Sequence, residues 1–290
     1  MFFGSIPALV TPFSGGRVAE DTFAELVEWQ VAEGSNALVP CGTTGEAATL
    51  SDAEHRRLIE IAVEVSAGRV PVIAGCGSND TAHAIELTRS AKEGGADAAL
   101  HVPPYYNRPN QEGIYAHLAA VAEQGMPIVL YNVPSRTITD IAVETIERLA
   151  KLPNVIAIKD ATGNLARVSA QRLACGEDFI QLSGNDDMAL GFNAMGGVGC
   201  ISVTANVAPR LCSDFQKAMK DGRWDDALKL QDRLYPLHAA LFTDASPAPA
   251  KYALSRVRPG FPQELRLPLV EASAASKRAV DAALEHAGLI

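Results

Sequence analysis

"VAEGSNALVP" at 31–40 resembles "AKEGGADAALHVP" at 91–103. Each reads as the end of a helix, a glycine stop, and a short aliphatic strand that closes on proline. The two copies lie about sixty residues apart, the span of two strand–helix units of about thirty residues each. Extending that period along the chain picks out strands at Ser5–Val10, Ala37–Cys41, Val70–Ala74, Ala98–Val102, Pro127–Tyr131, Val155–Lys159, Phe179–Ser183 and Val198–Val203. Between them fall segments of helical spacing, among them Thr22–Ala32, Ala53–Ser66, Ala82–Glu93 and Gln111–Ala122, and Ser51 with Glu54 forms a capping-box signature. Eight strands each followed by a helix predict an α/β fold, a (β/α)8 TIM barrel. A doubly wound open sheet is the alternative, but the first strand lacks the glycine-rich turn that such a sheet uses for dinucleotides.

After about Asp221 the strand signal stops. Arg223–Phe242, Pro249–Val257 and Val270–Ala287 read as helices, with "DASPAP" at 244–249 as a breaker between the first two. The expected organisation is a catalytic barrel over residues 1–222 and a small C-terminal helical segment over 223–290, packed on the barrel or serving as an oligomer surface.

The chain has 290 residues, 48% hydrophobic and 20% charged, with a net charge of −9. That composition supports one large core and disfavours disorder. No basic run exists, so nucleic acid is not the expected ligand. The N-terminus lacks a leading cation and meets Pro7 and Pro12 early, which makes it a poor signal peptide, and no apolar run is long enough to span a bilayer. A soluble, cytoplasmic protein is expected. The five cysteines at 41, 76, 175, 200 and 212 form no C-x-x-C and read as free thiols. The six histidines make no metal motif, so no metal is expected.

Chemistry is expected where barrel strands end, at the C-terminal mouth. "NVIAIKDATG" at 154–163 ends an aliphatic strand on Lys159. Strand alternation puts Val155, Ala157 and Lys159 on one face and Asp160 on the other, so Asp160 is not the natural ion partner of Lys159. Desolvation favours the neutral, nucleophilic amine of a lysine. The competing reading is a structural lysine paired to a carboxylate from another strand. Tyr131 ends the preceding strand, either as a proton shuttle or as a core phenol. Arg136 follows a Pro-Ser turn above the barrel, either clamping a carboxylate or solvated. Gly42, Thr43, Thr44 and Gly45 form a small, flexible loop whose amides and hydroxyls suit a carboxylate, or simply a strand–helix turn. Tyr105 and Tyr106 sit on a proline-rich loop after the fourth strand, as site, interface or loop-packing residues.

"GSIPALVTPF", "GTTGEAATL", "PYYNRP", "YNVPSRT", "IKDATGN", "LSGNDD" and "GCISVTANV" occur in one order from end to end. With these motifs the chain resembles the 4-hydroxy-tetrahydrodipicolinate synthase, or dihydrodipicolinate synthase, family. The resemblance implies condensation of pyruvate with aspartate 4-semialdehyde in lysine and diaminopimelate biosynthesis. It makes Lys159 the Schiff-base lysine, with no separate cofactor, and Tyr131 the acid/base, linked through Thr43 to Tyr106 of a neighbouring subunit. Thr43 and Thr44 would hold the pyruvate carboxylate, Arg136 the semialdehyde carboxylate, and backbone groups of Gly184 and Ile201 would line the pocket. The implied working unit is a homo-oligomer, a tetramer built as a dimer of dimers.

Lysine-inhibited relatives bind lysine at positions that match Ala47, Ala48, Asp52, His55, Asn79, His83 and Tyr105. His83 replaces a glutamate there and Asp52 a histidine, so weak or absent feedback inhibition is expected. Other pyruvate-dependent aldolases of the superfamily, for N-acetylneuraminate or keto-deoxy sugar acids, share Lys159 and Tyr131. Thr43, Tyr106 and Arg136 favour the synthase. A non-catalytic metabolite-binding barrel would not need the set.

Overall fold

The computed structural model describes residues 2–290. Its main sheet holds seven parallel strands in the order β1 (Gly4–Pro7), β9 (Gly199–Ser202), β8 (Ile180–Ser183), β7 (Val155–Asp160), β6 (Ile128–Asn132), β5 (Ala98–His101) and β4 (Ile73–Gly75). The expected second strand is too short to register as a strand of its own. It closes the gap between the two sheet edges through single bridges, Ala8 to Val39 on one side and Leu38 to Val72 on the other. The backbone bonds are regular there: Val39 N donates to Pro7 O at 2.9 Å and Ile73 N to Leu38 O at 2.8 Å. Counting residues 37–40, eight parallel strands close into the (β/α)8 barrel.

Two faces of each strand are buried, as parallel sheets require. Ile6, Val39, Ile73, Val129, Leu182 and Ile201 belong to the cluster that fills the barrel. The alternate residues, such as Leu38, Val72, Leu130 and Ile158, pack outward against Leu58, Leu118 and Leu149 of the helical ring. The helices α1 (Glu20–Ala32), α2 (Asp52–Ser66), α3 (Thr81–Glu93), α4 (Gln111–Ala122), α5 (Pro134–Thr137), α6 (Val143–Ala150), α7 (Ala166–Cys175), α8 (Ala189–Ala194) and α9 (Pro209–Lys220) follow the strands. Their starts obey local chemistry. Ser51 and Glu54 make the full capping box of α2, while Asp80 and Asn110 cap α3 and α4.

A two-stranded hairpin, β2 (Phe13–Ser14) and β3 (Arg17–Val18), interrupts the first strand–helix connection. Its Gly15–Gly16 turn has φ of 58° and 77°, the left-handed pair that a tight hairpin needs. The C-terminal helices are α10 (Trp224–Ala240), α11 (Ala248–Val257) and α12 (Ala274–Ala287). The expected start of the last one, Val270, lies four residues early because Ser273 is the residue that caps it. Among the described residues no helix is long and apolar enough to cross a membrane. The five cysteines are free, and four of them are buried.

Candidate active site

Lys159 is buried, 5% exposed, on the inner face of β7. Its register partner on one side is Tyr131 of β6 and on the other Leu182 of β8. The small Ala157 precedes it on the same face and leaves the barrel centre open for the side chain. Lys159 Nζ stands 4.1 Å from the centre of the Tyr131 ring. Among the described residues the amine has no ion-pair partner. The structural-lysine reading needed such a partner.

Asp160 points the other way and is fully occupied. It accepts hydrogen bonds from Thr162 N at 2.9 Å, Gln171 Nε2 at 2.7 Å and Arg167 Nε at 3.3 Å. It stitches β7 to α7 behind the barrel and leaves Lys159 alone in front.

A cavity of about 470 Å³ opens over Lys159. Lys159, Tyr131, Thr43, Thr44 and Arg136 all line it. Arg136 lies exposed on the short helix α5, with no carboxylate partner among the described residues. An unpaired guanidinium and an unpaired lysine amine therefore face one cavity, which suits an anionic substrate. The 42–45 segment is a clamped turn rather than the flexible loop expected. Gly45 N donates to Gly42 O at 3.0 Å, Glu46 N to Thr43 O at 3.1 Å, and Thr11 Oγ1 to Gly45 O at 2.7 Å. A Cβ at Gly45 would sit 3.0 Å from Leu9 O, so the glycine permits this close approach. Among the described residues the amides of Thr43 and Thr44 have no acceptor. Two free amides and two hydroxyls thus remain for an anion.

The other expected residues are not gathered so closely. Gly184 and Ile201 do not border the cavity: Ile201 is fully buried in the barrel filling, and Gly184 N bonds to Asp160 O at 2.7 Å. Tyr106 lies outside the cavity of its own chain. It is 92% exposed and held at φ 70°. Ala47, Ala48, Asp52, His55, His83 and Tyr105 line the outer part of the same cavity, whereas Asn79 does not. His55 Nε2 bonds Gly75 O at 2.7 Å, and His83 Nε2 lies 3.8 Å from Asp52 Oδ1. Among the described residues no cluster of three His, Cys, Asp or Glu side chains is placed to hold a metal ion.

Sequence reading missed several groups at this mouth. Ser246, Pro268 and Leu269 of the C-terminal region form part of the wall. Glu46 also lines it, and its carboxylate is paired with Lys251 of α11. A lone lysine inside "APAKYALS" was the only available signal, and nothing local named its partner. Among the described non-glycine residues with φ near +60°, Cys41 and Glu46 line the cavity, whereas Ala67, Tyr106, Arg108 and Ile138 do not. Such conformations cost about 1–3 kcal/mol each and collect at functional sites.

The fold and the cavity define the class: a (β/α)8-barrel enzyme with an unpaired lysine amine at the mouth of the barrel, beside a tyrosine and an anion-ready turn. The model described as the dihydrodipicolinate synthetase family matches residues 1–287, and the chain belongs to that family. It is 63% identical over 290 residues, all of both chains, to a 4-hydroxy-tetrahydrodipicolinate synthase of Rhizorhabdus wittichii. Among solved structures it is similar to dihydrodipicolinate synthase from Aquifex aeolicus, at 42% identity and a TM-score of 0.96, with 99% of each chain covered. It is equally similar to a chloride-inhibited dihydrodipicolinate synthase from Acinetobacter baumannii complexed with pyruvate, at 42% identity and a TM-score of 0.96 over the whole of both chains.

Proposed function

We propose that the chain condenses pyruvate with L-aspartate 4-semialdehyde to give 4-hydroxy-tetrahydrodipicolinate, the reaction of lysine and diaminopimelate biosynthesis. The observation that carries this reading is the unpaired Lys159 amine packed against Tyr131 within one cavity. The neutral amine of Lys159 attacks the keto carbon of pyruvate, and loss of water leaves an imine. The imine acts as an electron sink, so a methyl proton leaves and an enamine forms. The enamine carbon bonds to the aldehyde carbon of the semialdehyde, whose oxygen takes up a proton. The amino group of the adduct then attacks the imine carbon, closes the ring and displaces the Lys159 amine.

Each remaining group has a part in that sequence. Tyr131 donates and accepts the protons, in series with Thr43 and with Tyr106 from a neighbouring subunit. The exposure of Tyr106 supports a role outside its own chain. The free amides and hydroxyls of Thr43 and Thr44 hold the pyruvate carboxylate, and Arg136 holds the carboxylate of the semialdehyde. No metal or bound cofactor is required, because the lysine imine supplies the electron sink. The working form is a cytoplasmic homo-oligomer, a dimer of dimers, with no role for nucleic acid or membrane.

The test supplies the protein with pyruvate and either aspartate 4-semialdehyde or N-acetylmannosamine, and follows both partners by NMR. Consumption of pyruvate with the semialdehyde and appearance of the cyclic product is expected. Turnover with the sugar alone would reassign the chain within the superfamily. Arg136→Leu should raise KM for the semialdehyde about 10- to 100-fold and leave pyruvate trapping intact, the loss of one charge-assisted contact.

A further inference from the structure

Glu46 and Lys251 form a fully buried ion pair, with their side chains 1% and 0% exposed. Lys251 Nζ donates to Glu46 Oε1 at 2.5 Å and to Glu264 O at 2.7 Å, and lies 4.4 Å from the Phe13 ring centre. The second oxygen, Glu46 Oε2, accepts from Arg266 N at 3.1 Å. The Arg266 guanidinium continues the chain of contacts to Thr49 O at 2.8 Å and to Glu54 Oε1 at 2.5 Å. Burial pulls the pKa of Lys251 down, against the raising effect of Glu46.

Two features make this more than a packing contact. Glu46 immediately follows the turn that carries Thr43 and Thr44, and its own backbone is left-handed, φ 56° and ψ 36°. Glutamate disfavours that conformation, and local bonds such as Glu46 N to Thr43 O at 3.1 Å oppose that cost, with the side-chain anchor adding a hold from outside the turn. The Glu46 side chain is bound at both carboxylate oxygens by the C-terminal region, Oε1 by Lys251 and Oε2 by Arg266 N. The ammonium in turn has no water to fall back on, so the pair locks as a unit.

We infer that Glu46 and Lys251 are positioning residues: α11 fixes the Thr43–Thr44 turn over Lys159, so the C-terminal segment sets the pyruvate-carboxylate subsite without touching substrate. The inference rests on the assignment of that turn to the carboxylate in the function proposed above.

The test measures the pyruvate concentration that half-saturates borohydride trapping, normalised to folded protein, in Thr44→Val and in the neutral double variant Glu46→Gln/Lys251→Met. The double variant removes both charges together, so it leaves no unpaired buried ion. A rise of about tenfold or more in both, with the saturating trapping rate nearly unchanged in the double variant, is expected. A rise in Thr44→Val with no change beyond twofold in a folded double variant would overturn the positioning role. No rise in Thr44→Val would instead overturn the carboxylate subsite itself. Hydrogen exchange on the unaltered protein makes the test independent of whether the variant folds. The amides of Glu46, Ala47 and Thr49 should exchange as slowly as those of α11, as one cooperative unit. Rapid exchange of the turn beneath a protected α11 would contradict the inference.

Discussion

Tyr131 and Lys159 are register partners on adjacent parallel strands, with the lysine Nζ 4.1 Å from the centre of the tyrosine ring. Both are nearly buried and both line the cavity. Tyr131→Phe keeps the ring and removes only the hydroxyl. It should therefore form the pyruvate adduct yet lower kcat by roughly 10²–10⁴, the range for a lost general acid/base. Steady-state rates alongside trapping separate the two effects. An unchanged kcat would make the tyrosine a packing residue.

Tyr106 is held at φ 70° with 92% of its surface exposed, on a loop outside its own cavity. If it serves a neighbouring subunit, two inactive variants should complement. Lys159→Ala and Tyr106→Phe co-expressed with different tags should give mixed oligomers more active than either parent. The intact Lys159 site would then receive an intact Tyr106 from the other chain. Activity no higher than the parents' would place the tyrosine's role within one chain.

Feedback by lysine should be weak. His83 stands 3.8 Å from both Asp52 and Glu86, so the outer cavity offers an imidazole where an α-amine would want a carboxylate. Millimolar lysine should inhibit partly or not at all, and His83→Glu should strengthen inhibition about tenfold or more. Micromolar inhibition of the unaltered enzyme would contradict this.

The barrel carries an acid-sensitive group away from the site. His101 is fully buried on β5, with Nε2 3.1 Å from Thr88 Oγ1, and burial lowers its pKa to about 3, helped by the nearby His117. The unfolded chain takes up that proton near the ordinary value of about 6.5, and the folded chain does not. Stability is thus intact above about pH 6.5 and falls by up to about 1.4 kcal/mol per pH unit as pH drops toward the folded value. His101→Leu should flatten the decline in Tm between pH 6.5 and 4, since Thr88 Oγ1 keeps its bond to Ala84 O at 2.6 Å. An identical slope in the variant would remove His101 as the cause.

The sequence made the barrel legible because its strands are aliphatic runs with one period, repeated about every thirty residues. It placed Lys159 and Tyr131 at strand ends and Thr43, Thr44 and Arg136 on the loops that follow strands, and these five do share one cavity. Ala37–Cys41 reads as a strand like the others, but its pairing is reduced to single bridges, which depends on the neighbours rather than on the segment. The Gly15–Gly16 hairpin has a local signal in its paired glycines, weaker than the surrounding barrel pattern. The Glu46–Lys251 pair had no such signal: its partners are joined only by tertiary packing between the mouth turn and α11. Gly184 and Ile201 are implied by the family resemblance rather than by strand periodicity, and neither borders the cavity.

The central claim is that Lys159 is the amine that captures pyruvate. The direct measurement is incubation of the folded protein with pyruvate, reduction with borohydride, and mapping of the adduct by peptide mass spectrometry. The account predicts a reduced pyruvyl adduct on Lys159, absent from Lys159→Ala. No adduct, or one on a different lysine such as Lys251, would contradict it.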